Sequence, residues 1–525
     1  MMGSGIYVIS PEVAKKAGPA CVLSYMIAGI ASMLAALAYA EFGVRFPRAG
    51  SAYSYVYFSM GEFLAFIVGW NVILENTLAI SAVIQACGAY IDSLMNGAIS
   101  KFIISNIGTL TTDVEHSYFN TEPRLLAIAI MLVFVVILLL GTSGTSSVGN
   151  VLCAINIGML LMIVAIGIWK GDVRNWTNAS TGGFFPKGWQ GVFSAASMCF
   201  FSYGGFDAIS AAGEEAKDPR RSMPIATIVA MMTVTVLYTA VAACLTLLRN
   251  WTQISQNDGF PDAMQHNEVY WAKYLVTIGA MCGMTTVSVV TLYTIVRAAY
   301  SMAEDGLLCP LFAVISKRTQ VPQYSMLIFA CVSTTIAVFF NIETIVDMLS
   351  IGTLMAYMMV TCGLVVYRYC GTGDVSLEFR RFPRLNRVRP PFIGQRAFVY
   401  LNLALIIALS FILSFAVQGL WNDPTYLSQI TAGTLILVLT SLLSALEEVP
   451  DPCQTYRMPL MPWMAVVSIM VNCVLMSTLP GITWVRLIVW LLIGSIIYFT
   501  YGIRNSELER RYAACGKNPE NNIAL

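Results

Sequence analysis

Two short stretches carry polar chemistry inside an otherwise apolar chain. Residues 200–215 read FFSYGGFDAISAAGEE, and the chain opens MMGSGIYVISPEVAKK. One holds Gly204-Gly205 and Asp207 within a hydrophobic segment; the other holds Gly3-Ser4-Gly5 at the head of one. In hydrocarbon every backbone N–H and C=O needs a partner, so an unwound stretch persists only where protein, ligand or water satisfies it. Glycine relaxes the dihedral restraint and leaves the carbonyls of Phe201, Ser202 and Tyr203 free to accept, while Asp207 can cap the half-helix that resumes. The N–H groups that open the helix after Gly3-Ser4-Gly5 attract an anion, and carbonyls ahead of Gly204 attract an ammonium. A ligand carrying both groups a bond or two apart is an amino acid. The plainer alternative is a glycine pair used for helix packing. Against it stands the pairing of the two breaks, five spans apart at equivalent places, which points to an inverted-repeat transporter with a midplane site.

Ionisable residues inside spans are functional candidates by default. Glu62 sits near the cytosolic start of a span, as an acidic influence on a cationic side chain or a structural hydrogen-bonding group. Glu75 follows 13 residues later, roughly 20 Å along a helix at about 1.5 Å per residue. It reads as an added cation contact or as a buried acid paired with Asn71 or Asn76. Asn156 is expected to bridge helices. Glu214, Glu215 and Arg297 fall near cytosolic ends, as an inner gate or as a solvated surface pair worth under about 1 kcal/mol. No CxxC, HExxH, nucleophile elbow or P-loop occurs, and His116 and His266 both fall in outside loops, so no enzyme chemistry, cofactor or metal is expected.

These residues need a membrane to position them. The 525 residues are 57% hydrophobic and 11% charged, with mean hydropathy +0.70, too apolar for a soluble domain. Stretches of spanning length, about 20 residues, lie near 19–45, 54–91, 124–143, 147–170, 189–213, 223–248, 269–303, 324–341, 344–369, 397–420, 428–446, 459–477 and 482–503, with a shorter one at 5–17. The first residues lack a cleavable signal pattern. Lys and Arg cluster in alternate loops (Arg45 and Arg48; Lys217, Arg220 and Arg221; Lys317 and Arg318; 368–396; the tail), which places those loops in the cytosol. The opposite loops hold the sequons at Asn175, Asn178 and Asn250, candidate glycosylation sites. The 13 cysteines fall almost wholly in spans or cytosolic segments, leaving no extracellular pair for a disulfide. A net charge of +1 without a basic face excludes nucleic acid as a partner, and RRFPRLNRVRPP at 380–391 reads as a topology determinant.

The chain resembles the cationic amino acid transporters of the amino acid/polyamine/organocation superfamily. The motifs are GSGIYV, AGPACVLSY, YAEFGVRFPRAGSAYSYVYFSMGEFLAFIVGWN, CFFSYGGFDAISAAGEEAKDPRRSMP, VRAAYSMAEDGLL, VDMLSIGTLMAY and TWVRLIVWLLIGSIIYFTYGIR. The resemblance implies an all-α polytopic membrane protein with a five-plus-five inverted-repeat (LeuT-like) core and four more C-terminal helices. The repeats would be 1–170 and 189–370, joined by an outside loop at 171–188, then a basic cytosolic loop at 371–396, the four helices at 397–503 and a tail at 504–525. It places Gly3, Ser4, Gly5 and Ile6 at a substrate carboxylate and Phe201, Ser202, Tyr203 and Gly204 at the amino group. Glu62 matches a glutamate position of the family, and Asn156 stands where proton-coupled relatives carry lysine.

The implied activity is sodium-independent uniport of arginine, lysine and ornithine at the plasma membrane, with a lysosomal membrane as the alternative and no disulfide-linked heavy chain. An amino-acid receptor without flux is the alternative function, with an inactive truncated isoform beside it. The family has a cytosolic tail and a half-helix ahead of the first glycine break, whereas this chain starts at the break, as a truncated gene model or short isoform would. Gly204 replaces a larger apolar residue and Tyr203 a phenylalanine, so a roomier, more polar pocket is expected.

Overall fold

The computed structural model describes residues 3–46, 50–95, 97–109, 118–139, 142–177, 182–211, 218–255, 259–315, 322–371, 394–446, 448–449 and 456–507, apart from 421–425. The first half runs α1 (Ser4–Ala17), α2 (Cys21–Arg45), α3 (Ala52–Met60), α4 (Glu62–Leu94), α5 (Ala98–Asn106), α6 (Leu126–Leu139) and α7 (Thr142–Lys170). Next come α8 (Arg174–Thr177), α9 (Gly188–Tyr203), α10 (Phe206–Ala211), α11 (Pro219–Leu248), α12 (Gly259–His266), α13 (Tyr270–Glu304), α14 (Gln323–Phe339) and α15 (Ile342–Cys370). The last helices are α16 (Gln395–Leu420), α17 (Tyr426–Ser444), α18 (Trp463–Ser477), α19 (Gly481–Ile497) and α20 (Ile503–Asn505). Among the described residues, 9 helical stretches are long and apolar enough to cross a membrane, and four shorter apolar helices accompany them. The protein is therefore an all-helical, multi-pass membrane protein.

Three boundaries differ from the hydropathy pattern or sharpen it, each at a glycine. The apolar run 54–91 is two helices, because Gly61 at φ 103° ends α3 and opens α4. The runs 5–17 and 19–45 meet at Gly18, φ 69°, where a side chain would collide with Pro186 at 2.3 Å. Gly204-Gly205 separates α9 from α10, and only Gly205, φ 112°, needs the left-handed region.

The helices pair across the chain. α1 packs along α9, α2 along α11, α4 along α13 and α6 along α14. Small residues permit the close approaches: a Cβ on Gly279 would lie 2.2 Å from Met159 Cγ, and one on Gly167 2.3 Å from Cys244 Sγ. Buried tyrosines bind the centre. Tyr203 donates to the Tyr25 carbonyl (2.7 Å), and Tyr25 and Ser10 share a 2.9 Å hydroxyl bond. Satisfied hydroxyls of this kind lock helices that apolar packing alone would let slide.

The C-terminal helices dock on the same body. α16 and α18 cover α15, and α19 lies on α4. There Trp70 and Trp490 stack at 4.5 Å and exchange indole bonds to each other's carbonyls at 3.0 and 3.2 Å. Gly494 makes room, since a Cβ there would enter the Trp70 ring at 2.4 Å.

Candidate functional site

The start of α1 at Ser4 and the break at Gly204-Gly205 lie side by side, and of the two glycine stretches only the second interrupts a helix among the described residues. A Cβ on Gly5 would sit 2.3 Å from Ser202 Cα, so α1 and α9 touch backbone to backbone. Gly3, which caps α1, is already engaged: its N–H donates to the Tyr238 hydroxyl at 3.3 Å, and a Cβ on it would meet Val287 Cγ2 at 2.0 Å. Ile6 is fully buried. Ser4 opens α1, but its side chain lies outside the described residues.

Beside the second break is a cavity with about 370 Å³ of empty space, part of it open to solvent. Gly50 and Ser51 wall it from the turn before α3, Ala52 from the start of α3, Val72 and Glu75 from α4, Asp207 from α10, Thr294 and Ala298 from α13, and Tyr39 and Tyr357 from α2 and α15. The break builds this wall directly. The Gly205 N–H donates to Asp207 Oδ1 at 3.0 Å, so the carboxylate folds back over the unwound turn and faces the space that Glu75 enters from across the helix pair.

Two of its walls, Tyr39 and Tyr357, pack with Phe206: Tyr39 meets Phe206 and Tyr357 edge-on at 5.1 and 5.8 Å, and Phe206 and Tyr357 are tilted at 4.8 Å. The Tyr357 hydroxyl is buried with no hydrogen-bond partner, as is the Ser51 hydroxyl. The cavity thus brings together two carboxyl groups, Glu75 and Asp207, two unpartnered hydroxyls and the edges and faces of aromatic rings.

The remaining sequence candidates go elsewhere. Glu62, the first residue of α4, accepts from Tyr498 at 3.1 Å and Ser506 at 2.7 Å, both in the C-terminal segment, and does not line the cavity. Asn156 accepts the Tyr7 hydroxyl at 2.9 Å and presses on Gly283, where a Cβ would lie 2.8 Å from its Cγ; it joins α1, α7 and α13. Arg297 stands 4.9 Å over the Tyr293 ring. Glu214 and Glu215 lie outside the described residues, and so does Asn178.

Of the other sequons, the Asn175 amide donates to Leu247 O at 2.8 Å, and Asn250 Oδ1 accepts from the Thr252 N–H and hydroxyl at 3.2 and 3.1 Å. Phe201 is half-buried, packed beside α4. Gly204 is open: a Cβ there would meet only the Phe201 carbonyl, at 3.6 Å. The sequence reading missed Tyr39, Tyr357 and Ser51, which look like core and turn residues until three distant helices converge on them.

A family model described as amino acid permease matches residues 1–446, and one for the C-terminus of these permeases matches 456–506. The chain belongs to the amino acid permease family. Among curated proteins it is 34% identical to "Cationic amino acid transporter 4" of Mus musculus, over 97% of this chain and 86% of that one. It is 30% identical to "Cationic amino acid transporter 1" of Arabidopsis thaliana, over 96% and 80%. At 28% it also matches the "Methylthioribose transporter" of Bacillus subtilis, over 97% and 92%. Membership makes this permease a transporter, not an enzyme, embedded in the bilayer and acting on a small molecule.

Proposed function

We propose that this permease carries cationic L-amino acids, arginine, lysine and ornithine, inward across the plasma membrane by sodium-independent uniport and alternating access. The observation that carries the reading is the meeting of Glu75 and Asp207 in one cavity beside the broken α9–α10 segment. A neutral substrate has no use for two carboxyl groups taken out of water, whereas a guanidinium or ammonium side chain offsets their desolvation. The Phe201–Gly204 stretch would hold the substrate amino group and Gly3–Ile6 its carboxylate, as half-helix ends do for zwitterions. The backbone contact of Gly5 with Ser202 supports that pairing by bringing the two ends together. Membrane potential supplies about 2.3 kcal/mol per charge per 100 mV, enough to drive a cation inward without a coupling ion.

Pairing of α1 with α9, α2 with α11, α4 with α13 and α6 with α14 supports the five-plus-five repeat. In order of membrane crossing these are the first with the sixth, second with seventh, third with eighth and fourth with ninth. The short helices α3 and α12 also occupy equivalent places, after the second and seventh crossings.

The test is labelled L-arginine uptake by cells expressing the chain, normalised to surface protein, with sodium replaced and with lysine or leucine as competitor. Sodium-independent uptake blocked by lysine and spared by leucine is expected. Arginine binding without uptake would make the protein a receptor, and uptake blocked by leucine or methylthioribose would remove the cationic specificity.

A further inference from the structure

A buried carboxylate with four bonded partner atoms lies outside the cavity. Glu41, near the cytosolic end of α2, is 0% exposed, and both its oxygens are taken. Oε1 accepts Arg368 Nε at 2.9 Å and pairs with Arg45 Nη2 at 2.9 Å; Oε2 accepts Arg368 Nη2 at 2.6 Å and the Met458 backbone N–H at 2.7 Å. Arg368, at the end of α15, reaches on to Glu448 at 3.3 Å and to the Met458 carbonyl at 3.0 Å, while its own carbonyl accepts the Val449 N–H at 2.7 Å. Arg457 closes the set on Glu448 at 3.2 Å.

The cluster joins three parts of the chain: α2, α15 and the segment between α17 and α18. That segment belongs to the C-terminal extension, so the extension supplies a backbone N–H, a backbone carbonyl and a carboxylate to a clasp between two helices of the core. Both clasped helices also wall the cavity. Tyr39 lies two residues before Glu41, Tyr357 lies on α15, and their rings meet at 5.8 Å beside Asp207. A shift of α2 along α15 separates those rings. Within a bilayer, apolar packing alone resists such sliding weakly. A buried bidentate ion pair has one good geometry and therefore fixes the register.

We infer that Glu41 and Arg368, completed by Glu448 and the Met458 backbone, position the aromatic wall of the substrate cavity, so that the C-terminal extension sets substrate affinity from a distance. Glu41 touches no substrate in this arrangement; it acts through Tyr39 and Tyr357. The inference rests on the cavity being the substrate site.

The experiment compares Glu448→Ala, Glu41→Asp and the double variant as full-length chains, measuring arginine uptake kinetics per surface transporter. Glu448 sits at the rim, with its side chain 29% exposed, so its variant leaves the inner pair intact. The expected result is a KM raised about threefold in Glu448→Ala and about tenfold in Glu41→Asp, with maximal rate per transporter within twofold of wild type. The double variant should show less than the product of the two effects, since both act through Arg368. Fewer transporters at the surface with KM unchanged would overturn the inference and leave the cluster a stability element only.

A second readout needs no substrate. Maleimide labelling of Ala298→Cys, in the cavity wall, should change at least threefold when Glu41→Asp or Glu448→Ala is added, and an unchanged rate would overturn the inference. If wild type takes up no arginine, the proposed function falls instead, and the labelling alone decides the clasp.

Discussion

Gly5 and Ser202 meet backbone against backbone, at the point where the head of α1 crosses the end of α9. Any side chain on residue 5 would lie within 2.9 Å of three Ser202 atoms, Cα among them. Backbone cannot rotate out of the way as a flexible side chain can, so the two helices must separate. Gly5→Ala is expected to cost about 1–3 kcal/mol of stability, the range for overpacking, and to reduce uptake per surface transporter at least tenfold. Gly97→Ala is the control: its side chain would meet nothing within 4 Å, although its φ of 74° adds local strain. Wild-type uptake by Gly5→Ala would show that the crossing tolerates separation.

Glu75 and Asp207 enter the same cavity from α4 and α10. If both face the cation of the substrate, Glu75→Gln and Asp207→Asn should each reduce arginine uptake at least tenfold, about 1.4 kcal/mol. Asp207 has a second duty, accepting the Gly205 N–H at 3.0 Å. An asparagine carbonyl can keep that bond, so Asp207→Asn should leave surface expression near wild type while Asp207→Leu lowers it. The check is a competition series: leucine should gain on arginine in Glu75→Gln, and an unaltered preference would take the carboxylates out of recognition.

Of the residues that line the cavity, Glu75 and Asp207 are singled out by the sequence, and the limits follow from physical causes. The break at Gly204-Gly205 announces itself because glycines interrupt a hydrophobic run, and backbone in hydrocarbon stays unwound only where protein, ligand or water bonds it. The split at Gly61 is hidden, since the aromatic run 52–60 is as apolar as a span although it forms the separate helix α3. From sequence Glu62 reads equally as an acidic influence on a cationic substrate or as a structural hydrogen-bonding group, because carboxylates within spans usually serve function and helix ends usually need partners. Its partners Tyr498 and Ser506 lie 436 and 444 positions away, beyond any local pattern. Tyr39 and Tyr357 are invisible for the same reason: an aromatic residue on a span reads as core until its neighbours are known.

Gly204 and Gly205 have separable roles. Gly205 holds φ 112°, which a side chain resists, whereas Gly204 has φ −57° and space for a Cβ. Gly205→Ala should therefore lose at least tenfold in uptake and about 1 kcal/mol or more in stability. Gly204→Ala should fold and transport. A bulkier Gly204→Ile should narrow the range of accepted amino acids, read as selective loss of the longest substrates. Equal tolerance at 204 and 205 would mean the break does not depend on left-handed geometry.

Glu62 is expected to act on stability, not on recognition. It begins α4 and holds both the Tyr498 and the Ser506 hydroxyls, at a point where the chain passes through a π-helical turn at Tyr498–Gly502. Each hydrogen bond to a charged group contributes about 1.5–3 kcal/mol, so Glu62→Leu should lower the melting temperature and the amount reaching the surface. Ser506→Ala should do the same to a smaller degree, and the two effects should not add, because they break one contact. Arginine KM in the transporters that do reach the surface should stay within twofold of wild type. A tenfold rise in KM with normal expression would instead return Glu62 to the substrate path, where its place in an apolar span alone would put it.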